Sequence, residues 1–399
     1  MKKLLLLPLL IFLFTTATAQ SEVWYKGNLH THSYWSDGDE FPEPIMDWYK
    51  NHGYQFIGLS DHNTLAAGEK WKKIAKSKLY EDSFAKYLEK YGKDWVTYKI
   101  DSGRTLVKLK TLAEYRPLFE DKNFLIIPSE EITSRFENKP IHMNATNIQT
   151  IIGPQSGNSV TEVMQKTIDA VLKQREETGV PMILHLNHPN FGWGVSVQDI
   201  IDLKGERFFE VYNGHPAANN YGDSLRPGTE EIWDRINVAY LNRGQPILYG
   251  LATDDSHNYH QFGKAFSNSG RGWVMVKAKA LTPEALLASL EAGQFYSSTG
   301  VILENISFDN NKLEVAVKPE PGVRYTIEFV GVLQGEEKST VLKKVTGTKA
   351  KFKVDQKYLF VRARIVSTKK KDNPYQEDDV EMAWTQPVYK VKMPEGYRG

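Results

Sequence analysis

The sequence predicts an α/β fold built on parallel strands, followed by a small antiparallel β-sandwich. Three observations predict it. Short apolar runs alternate with helical patterns from about residue 22 to about residue 300. Polar and acidic side chains fall at the C-terminal tips of those runs, which is where α/β barrels build their active sites. From about residue 303 the period changes to apolar–polar alternation punctuated by turn signals.

The elements follow in order. "MKKLLLLPLLIFLFTTATAQ" has Lys2 and Lys3, then an apolar run from Leu4 to Phe14, then small residues ending in Ala17-Thr18-Ala19. A charged n-region, an apolar h-region and an A-x-A site read as a signal peptide over residues 1–19. The run is too short for a bilayer, which takes about 20 residues. The chain is therefore expected to be exported, periplasmic or secreted, with no membrane attachment after cleavage. The stretches 55–62, 123–131, 180–189, 207–215 and 246–257 read as buried strands with polar tips. Between them, "EPIMDWYKNHG" and "SVTEVMQKTIDAVLKQREETG" read as helices stopped by Gly53 and Gly179. "LTPEALLASLEAGQ" has a Thr N-cap, a Pro at N1 and a stop at Gly293.

Residues 70–122 break this rhythm. They hold 14 Lys or Arg against 8 Asp or Glu, and include "KWKKIAKSKLYEDSFAKYLEKYG", an expected basic helix. This insertion is either a solvated face or a lid that draws anionic substrate inward. After it the main domain runs on, so that residues 20–302 form one unit and 303–399 the β-sandwich. In the sandwich Tyr325, Phe329, Phe352 and Phe360 alternate and are expected in its core. "TKKKDNPYQEDD" reads as an exposed charged loop.

Composition narrows the partners and the chemistry. With 41% hydrophobic and 25% charged residues over 399 positions, the chain has the balance of an ordinary globular protein. Without Lys2 and Lys3, 48 basic residues face 49 acidic ones, so there is no general nucleic-acid footprint. There are no cysteines, so a metal site here rests on His and carboxylate.

The ten histidines cluster near strand tips. His30 and His32 are two apart and would share one face of a strand. Asp61-His62, His188-Pro189 and Asp255-x-His257 stand at later tips, as do Glu130 and Glu131. Each pair alone is a weak signal; together they point to a multinuclear metal centre. His52 reads as surface, His260 as a loop cap, and His185 as a packed or supporting residue.

"HTHSYWSDG", "LSDHNT", "IIPSEEIT…IH", "LNHPN", "EVYN" and "ATDDSH" resemble the motif series of the polymerase and histidinol phosphatase (PHP) family, over roughly residues 22 to 300. The closest likeness is to its exported members with a short β-domain, a group that includes carbamate hydrolases. The resemblance implies a distorted (βα)7 TIM-like barrel. It implies His30, His32, Glu131 and Asp255 around one metal, Asp37, His62 and His257 around a second, and Glu131, His142 and His188 around a third. Glu130 is the rival of Glu131, because Ser129 stands where the family carries Gly. Two or three divalent ions, Zn, Mn or Fe, are the expected cofactors.

Asp61 is a candidate to orient a ligand or move a proton, or else a strand-end turn cap. His215 is a candidate substrate or supporting residue, and Glu210 a supporting carboxylate. Arg135 and Arg271 are candidate anion clamps, or ordinary arginines. The expected activity is that of an exported metal-dependent phosphoesterase acting on a small anionic substrate. The alternatives are hydrolysis of an amide, ester or carbamate at the same centre, or a non-catalytic metal- or glycan-binding protein.

Overall fold

In the computed structural model of the chain, residues 21–389 are described; the expected signal segment lies outside them. The elements run β1 (Val23–Asn28), α1 (Pro42–Asn51), β2 (Phe56–Leu59), β3 (Trp71–Lys73), α2 (Lys78–Tyr91), β4 (Tyr98–Asp101), β5 (Arg104–Lys108) and α3 (Leu112–Phe119). Next come β6 (Leu125–Phe136), β7 (Lys139–Thr146), α4 (Val160–Thr178), β8 (Ile183–Leu186), α5 (Val197–Ile200), β9 (Phe208–Asn213), α6 (Thr229–Asn242) and β10 (Tyr249–Thr253). The chain continues through β11 (Trp273–Ala278), α7 (Pro283–Glu291), β12 (Phe295–Ser298), β13 (Leu303–Asp309) and β14 (Lys312–Val317). It closes with β15 (Tyr325–Leu333), β16 (Thr340–Thr346), β17 (Lys349–Lys353), β18 (Tyr358–Lys370) and β19 (Val380–Thr385). No helix among the described residues is long and apolar enough to cross a membrane.

The fold is mixed α/β around one large sheet, ordered β10-β9-β8-β7-β6-β2-β1-β11-β12-β19-β18-β15-β16. Strands β1, β2 and β6 pair in parallel, as do β8, β9 and β10. Gly27 is required in β1 because a Cβ there would stand 2.1 Å from the Phe56 ring of β2. Past the strand ends the two flanks meet. The Asp255 N–H donates to His30 O, and the His32 N–H to Ser256 O, both at 2.9 Å. Helices cover the outside for local reasons. Helix α4 starts where the Ser159 hydroxyl accepts from Glu162 N–H and ends at left-handed Gly179, φ 68°. Helix α7 starts at Thr282-Pro283 and buries Leu286, Leu287 and Leu290.

Three sequence expectations need correction. Strand β7 was not foreseen, and it makes the sheet antiparallel on both its flanks. Its residues Ile141, Met143 and Ala145, which pack toward α4, are fully buried, but His142 and Asn144 alternate with them and hide the apolar run. The 70–122 insertion is only partly helical: β3, β5 and β4 form a small antiparallel sheet, and helix forms only from Lys78. Ser77 caps that helix, and the β-rich "TYKID" and "RTLVK" flank a Ser102-Gly103 turn. The C-terminal region is not a free-standing sandwich. One layer, β13-β14-β17, faces a second layer that continues the central sheet through the β12–β19 pairing.

Tyr325 and Phe329 are buried in this region's core with Phe352 packed against them, whereas Phe360, expected there too, is buried in a separate cluster with Val238 of α6. Arg362, 1% exposed at its side chain, pins the layer to α6 through Asp234 at 2.7 Å and Glu230 at 2.8 Å. The tract at 368–379 ends β18 and continues as a loop that is exposed at residues 372 and 376–378 but anchored by Lys371 and Tyr375, each 8% exposed, with the Tyr375 ring 6.3 Å from that of Tyr212.

Candidate metal centre

The "NLHTHSYWSDG" loop leaves β1 at Asn28 and winds tightly. A Cβ at Gly38 would lie 2.6 Å from the His32 carbonyl carbon, so glycine is what lets the loop close. His30 and His32 are both fully buried, with ring centroids 5.2 Å apart. Asp255 reaches them from the β10 tip, where its left-handed backbone (φ 49°) is one that Asp tolerates.

The Nε2 atoms of His30 and His32 are buried and make no hydrogen bond among the described residues. Each lies 3.2 Å from Asp255 Oδ1, and 3.5 and 3.3 Å from the two Glu131 oxygens. Atoms bound to one tetrahedral zinc-sized ion at about 2.0–2.2 Å stand about 3.3–3.6 Å apart. Four donors therefore face one ion-sized gap, and three of their atoms, His30 Nε2, His32 Nε2 and Glu131 Oε2, are buried without a hydrogen bond, which would otherwise cost about 1–3 kcal/mol each. The residues fit a cation.

A second group opens toward solvent. Asp37, with its side chain 58% exposed, lies 3.5 Å from His62 Nε2 and 3.3 Å from His257 Nε2. His32 Nδ1 borders it, 3.8 Å from Asp37 Oδ1. A third gathers at Glu131 Oε1, with His142 Nδ1 at 3.0 Å and His188 Nε2 at 3.6 Å. His188 Nε2 also lies 3.6 Å from Asp255 Oδ2, so it leans toward the His30 group. Glu130, the rival carboxylate, turns away and accepts from Ile152 N–H and Gly153 N–H.

The supporting shell is largely amide and carboxylate. Glu210 accepts from His30 Nδ1 (2.7 Å), the His188 N–H, Asn213 Nδ2 and Thr253 Oγ1 (each 2.8 Å). That bond fixes the His30 tautomer and turns Nε2 toward the gap. His185, fully buried below, approaches the same carboxylate at 3.3 Å. His30 Nδ1 is spent in its 2.7 Å bond to Glu210, while neither ring nitrogen of His185 makes a hydrogen bond among the described residues. Asn187 donates to Glu131 Oε1 and to Asn144, and Asn213 donates to Asp255. The sequence reading missed these asparagines, though Asn187 adjoins His188 at a strand tip. Glu210→Gln is expected to weaken metal binding about 10–100-fold with the fold intact. Competition with a chelator measures it, and unchanged affinity would remove Glu210 from the centre.

Charge is tightly coupled here. Burial opposes charge on His30, yet Asp255, Glu210 and Glu131 together hold its pKa well above the usual range. Burial likewise opposes charge on His62, but Glu131 and Asp37 raise it to about 11. Burial lowers His32 to about 3, helped by His257 and His62. His30 and His62 are thus pushed toward the protonated form without a cation, and a binding cation would displace protons from them. Metal affinity is expected to rise with pH, with proton release at pH 7. Titration calorimetry in two buffers of different ionisation enthalpy reads this directly; no proton uptake by the buffer would contradict it.

The remaining candidates sort clearly. Asp61 is 2% exposed and accepts from Ser33 N–H, Ser33 Oγ and Ser36 Oγ. These bonds tie down the ligand loop, the orienting role among those expected for Asp61. Arg271 is 2% exposed and donates to the carbonyls of Asn373, Gly214, Phe266 and Gly263. It ties the His215 and His257 loops to the C-terminal region and is no anion clamp. Arg135 is exposed, two residues past Thr133 on the face that carries Glu131. His215 accepts from Ala217 N–H at Nδ1, which places its proton on Nε2, and its ring lies 5.6 Å from His257. Burial lowers its pKa to about 4, so it is a neutral donor beside the centre. His52 stacks on Trp48 at 3.9 Å, and His260 donates to Asp39 O.

No protein-family model matches the chain. A tRNA-splicing ligase, RtcB, of Nanoarchaeum equitans is 22% identical over 270 residues, covering 64% of this chain and 52% of the ligase. The chain thus spans about half the length of that curated relative. Among solved structures, a two-domain protein of Bacteroides vulgatus containing a predicted PHP-like metal-dependent phosphoesterase is 14% identical. It covers 92% of this chain and 96% of its own, with a TM-score of 0.41. An amidohydrolase from Chromobacterium violaceum is 11% identical over 67% of this chain and 96% of its own, with a TM-score of 0.30. Likeness at this level carries no residue across, and the centre stands on its own geometry.

Proposed function

We propose that this chain is a PHP-type metal-dependent hydrolase, and a phosphoesterase in particular, exported to the periplasm or beyond. The observation that carries the reading is the set of buried, unpaired His30, His32 and Glu131 atoms facing Asp255 across ion-sized gaps. The barrel reading is supported by the run of β1, β2 and β6–β10, whose two ends bond through His30, His32, Asp255 and Ser256.

His30, His32, Glu131 and Asp255 would hold one ion, with Asp37, His62 and His257 around a second, and His142 and His188 beside Glu131 for a third. When bound, divalent ions supply Lewis acidity and lower the pKa of a coordinated water toward about 7. The chain's own residues then orient and exclude. Glu210 holds His30 in its tautomer, Asp61 holds the loop, and His215 offers an Nε2–H to a leaving oxygen. The basic insertion, which touches the ligand loop through Lys70 and Lys110, supports an anionic substrate.

A second reading, hydrolysis of a carboxyl ester, amide or carbamate, gains from Arg271, whose donors are consumed by carbonyls and leave no guanidinium fork for phosphate. The test is a screen of residues 20–399, loaded with metal, against phosphomonoesters, phosphodiesters, esters and carbamates. Turnover of phosphoesters is expected; turnover of carboxyl or carbamate esters alone would reverse the order.

A further inference from the structure

We infer that Lys72 binds a second anionic group of the substrate, apart from the group that is hydrolysed. This rests on the hydrolase reading and narrows it to small molecules that carry two anionic groups, one of them a carboxylate or phosphate beside the scissile ester.

The argument starts from how the insertion meets the ligand loop. Tyr34 and Trp35, inside "NLHTHSYWSDG", are 5% and 2% exposed because the insertion covers them. They share one apolar cluster with Ile74, Val107 and Leu109. Polar bonds fix the same contact: Lys70 Nζ donates to Trp35 O, and Trp35 Nε1 donates to Lys110 O at 2.9 Å. Strand β3 is therefore held at a set height over the loop that carries His30, His32 and Asp37.

Lys72 lies in the middle of β3, half-buried, with Nζ 4.4 Å from the Tyr34 ring centroid. Its neighbours are occupied: Lys70 by the Trp35 carbonyl, Lys108 by Glu69 and Lys110 by Glu114. Among the described residues no carboxylate forms an ion pair with Lys72 and no hydrogen bond holds its ammonium. Tyr34 stands between His32 and Asp37 in the ligand loop, so the ammonium over its ring lies on the loop that carries these donors, and Asp37, Asp61 and Asp39 act on it electrostatically. Burial and Lys70 lower its pKa, a cost that an incoming anion would offset. An ammonium resting on an aromatic face with its hydrogens unspent is built to receive an acceptor. It stands outside the buried His30–His32–Glu131–Asp255 gap, so the group it meets is not the one among those donors.

The experiment uses the metal-loaded chain, Lys72→Met, which keeps the stem on Tyr34, and Lys72→Arg, which keeps the charge. Calorimetry measures binding of two matched pairs: propylphosphonate against 3-phosphonopropionate, and butyrate against succinate. In the unaltered chain the doubly anionic member of an accepted pair is expected to bind at least about tenfold tighter. Lys72→Met is expected to bind both members equally, and Lys72→Arg to keep the preference. A preference seen only in the succinate pair, and lost in Lys72→Met, supports Lys72 and overturns the phosphoesterase reading instead. No preference in the unaltered chain, or one that survives in Lys72→Met, overturns the role of Lys72.

Discussion

His32→Ala is expected to abolish turnover and release metal while leaving the fold in place. His32 Nε2 faces Asp255 and Glu131 at 3.2 and 3.3 Å with no hydrogen bond of its own, and its Nδ1 side borders Asp37. The ring thus lies between two of the three donor groups. Loss of a supporting partner already costs about 10–100-fold in metal affinity, so loss of a direct donor should exceed the upper figure. Stability should move little, because the ring's Nε2 is buried unpaired and its one hydrogen bond, between Nδ1 and Ser36 Oγ, is long at 3.4 Å. Metal analysis, turnover and a melting curve check the three parts. Retained metal and activity would remove His32 from the centre; a collapsed melting curve would mean the ring is structural.

Glu131→Gln should do more damage than His32→Ala. One carboxylate meets five imidazoles: His30, His142 and His188 at Oε1, and His32 and His62 at Oε2. Burial opposes its charge, but His62, His142 and His30 hold its pKa well below the carboxylate range. An amide keeps the shape and loses that charge, so donors from more than one group should fail together. Without metal, leaving buried imidazolium uncompensated is expected to cost about 3 kcal/mol or more of stability. The outcome to look for is a lower metal count than in His32→Ala, with a lower melting temperature. Equal metal content in the two variants would show that Glu131 serves a single ion.

Much of the centre was legible because its chemistry sits at strand tips. His62, His188 and Asp255-x-His257 follow apolar runs too short for helices, and those runs became β2, β8 and β10. The support was harder to see. Asn144, Asn187 and Asn213 carry neither charge nor period, and only the folded sheet shows that Asn187 and Asn213 donate to Glu131 and Asp255 while Asn144 accepts from Asn187. Arg271 misled for a related reason: an arginine in a glycine-rich loop looks the same whether its donors meet a substrate or four carbonyls. Strand β7 escaped because both of its faces are enclosed, one apolar and one lined by His142 and Asn144, so the run reads as polar. Lys72 was one lysine among many until the fold showed which of them had partners.

The most direct test of the account is the number of metal ions per chain. The folded protein, saturated with Zn, Mn or Fe and freed of excess, is measured by elemental analysis. The donor groups around His30, Asp37 and Glu131 predict two or three ions per chain; fewer than two under saturating metal would contradict the multinuclear centre.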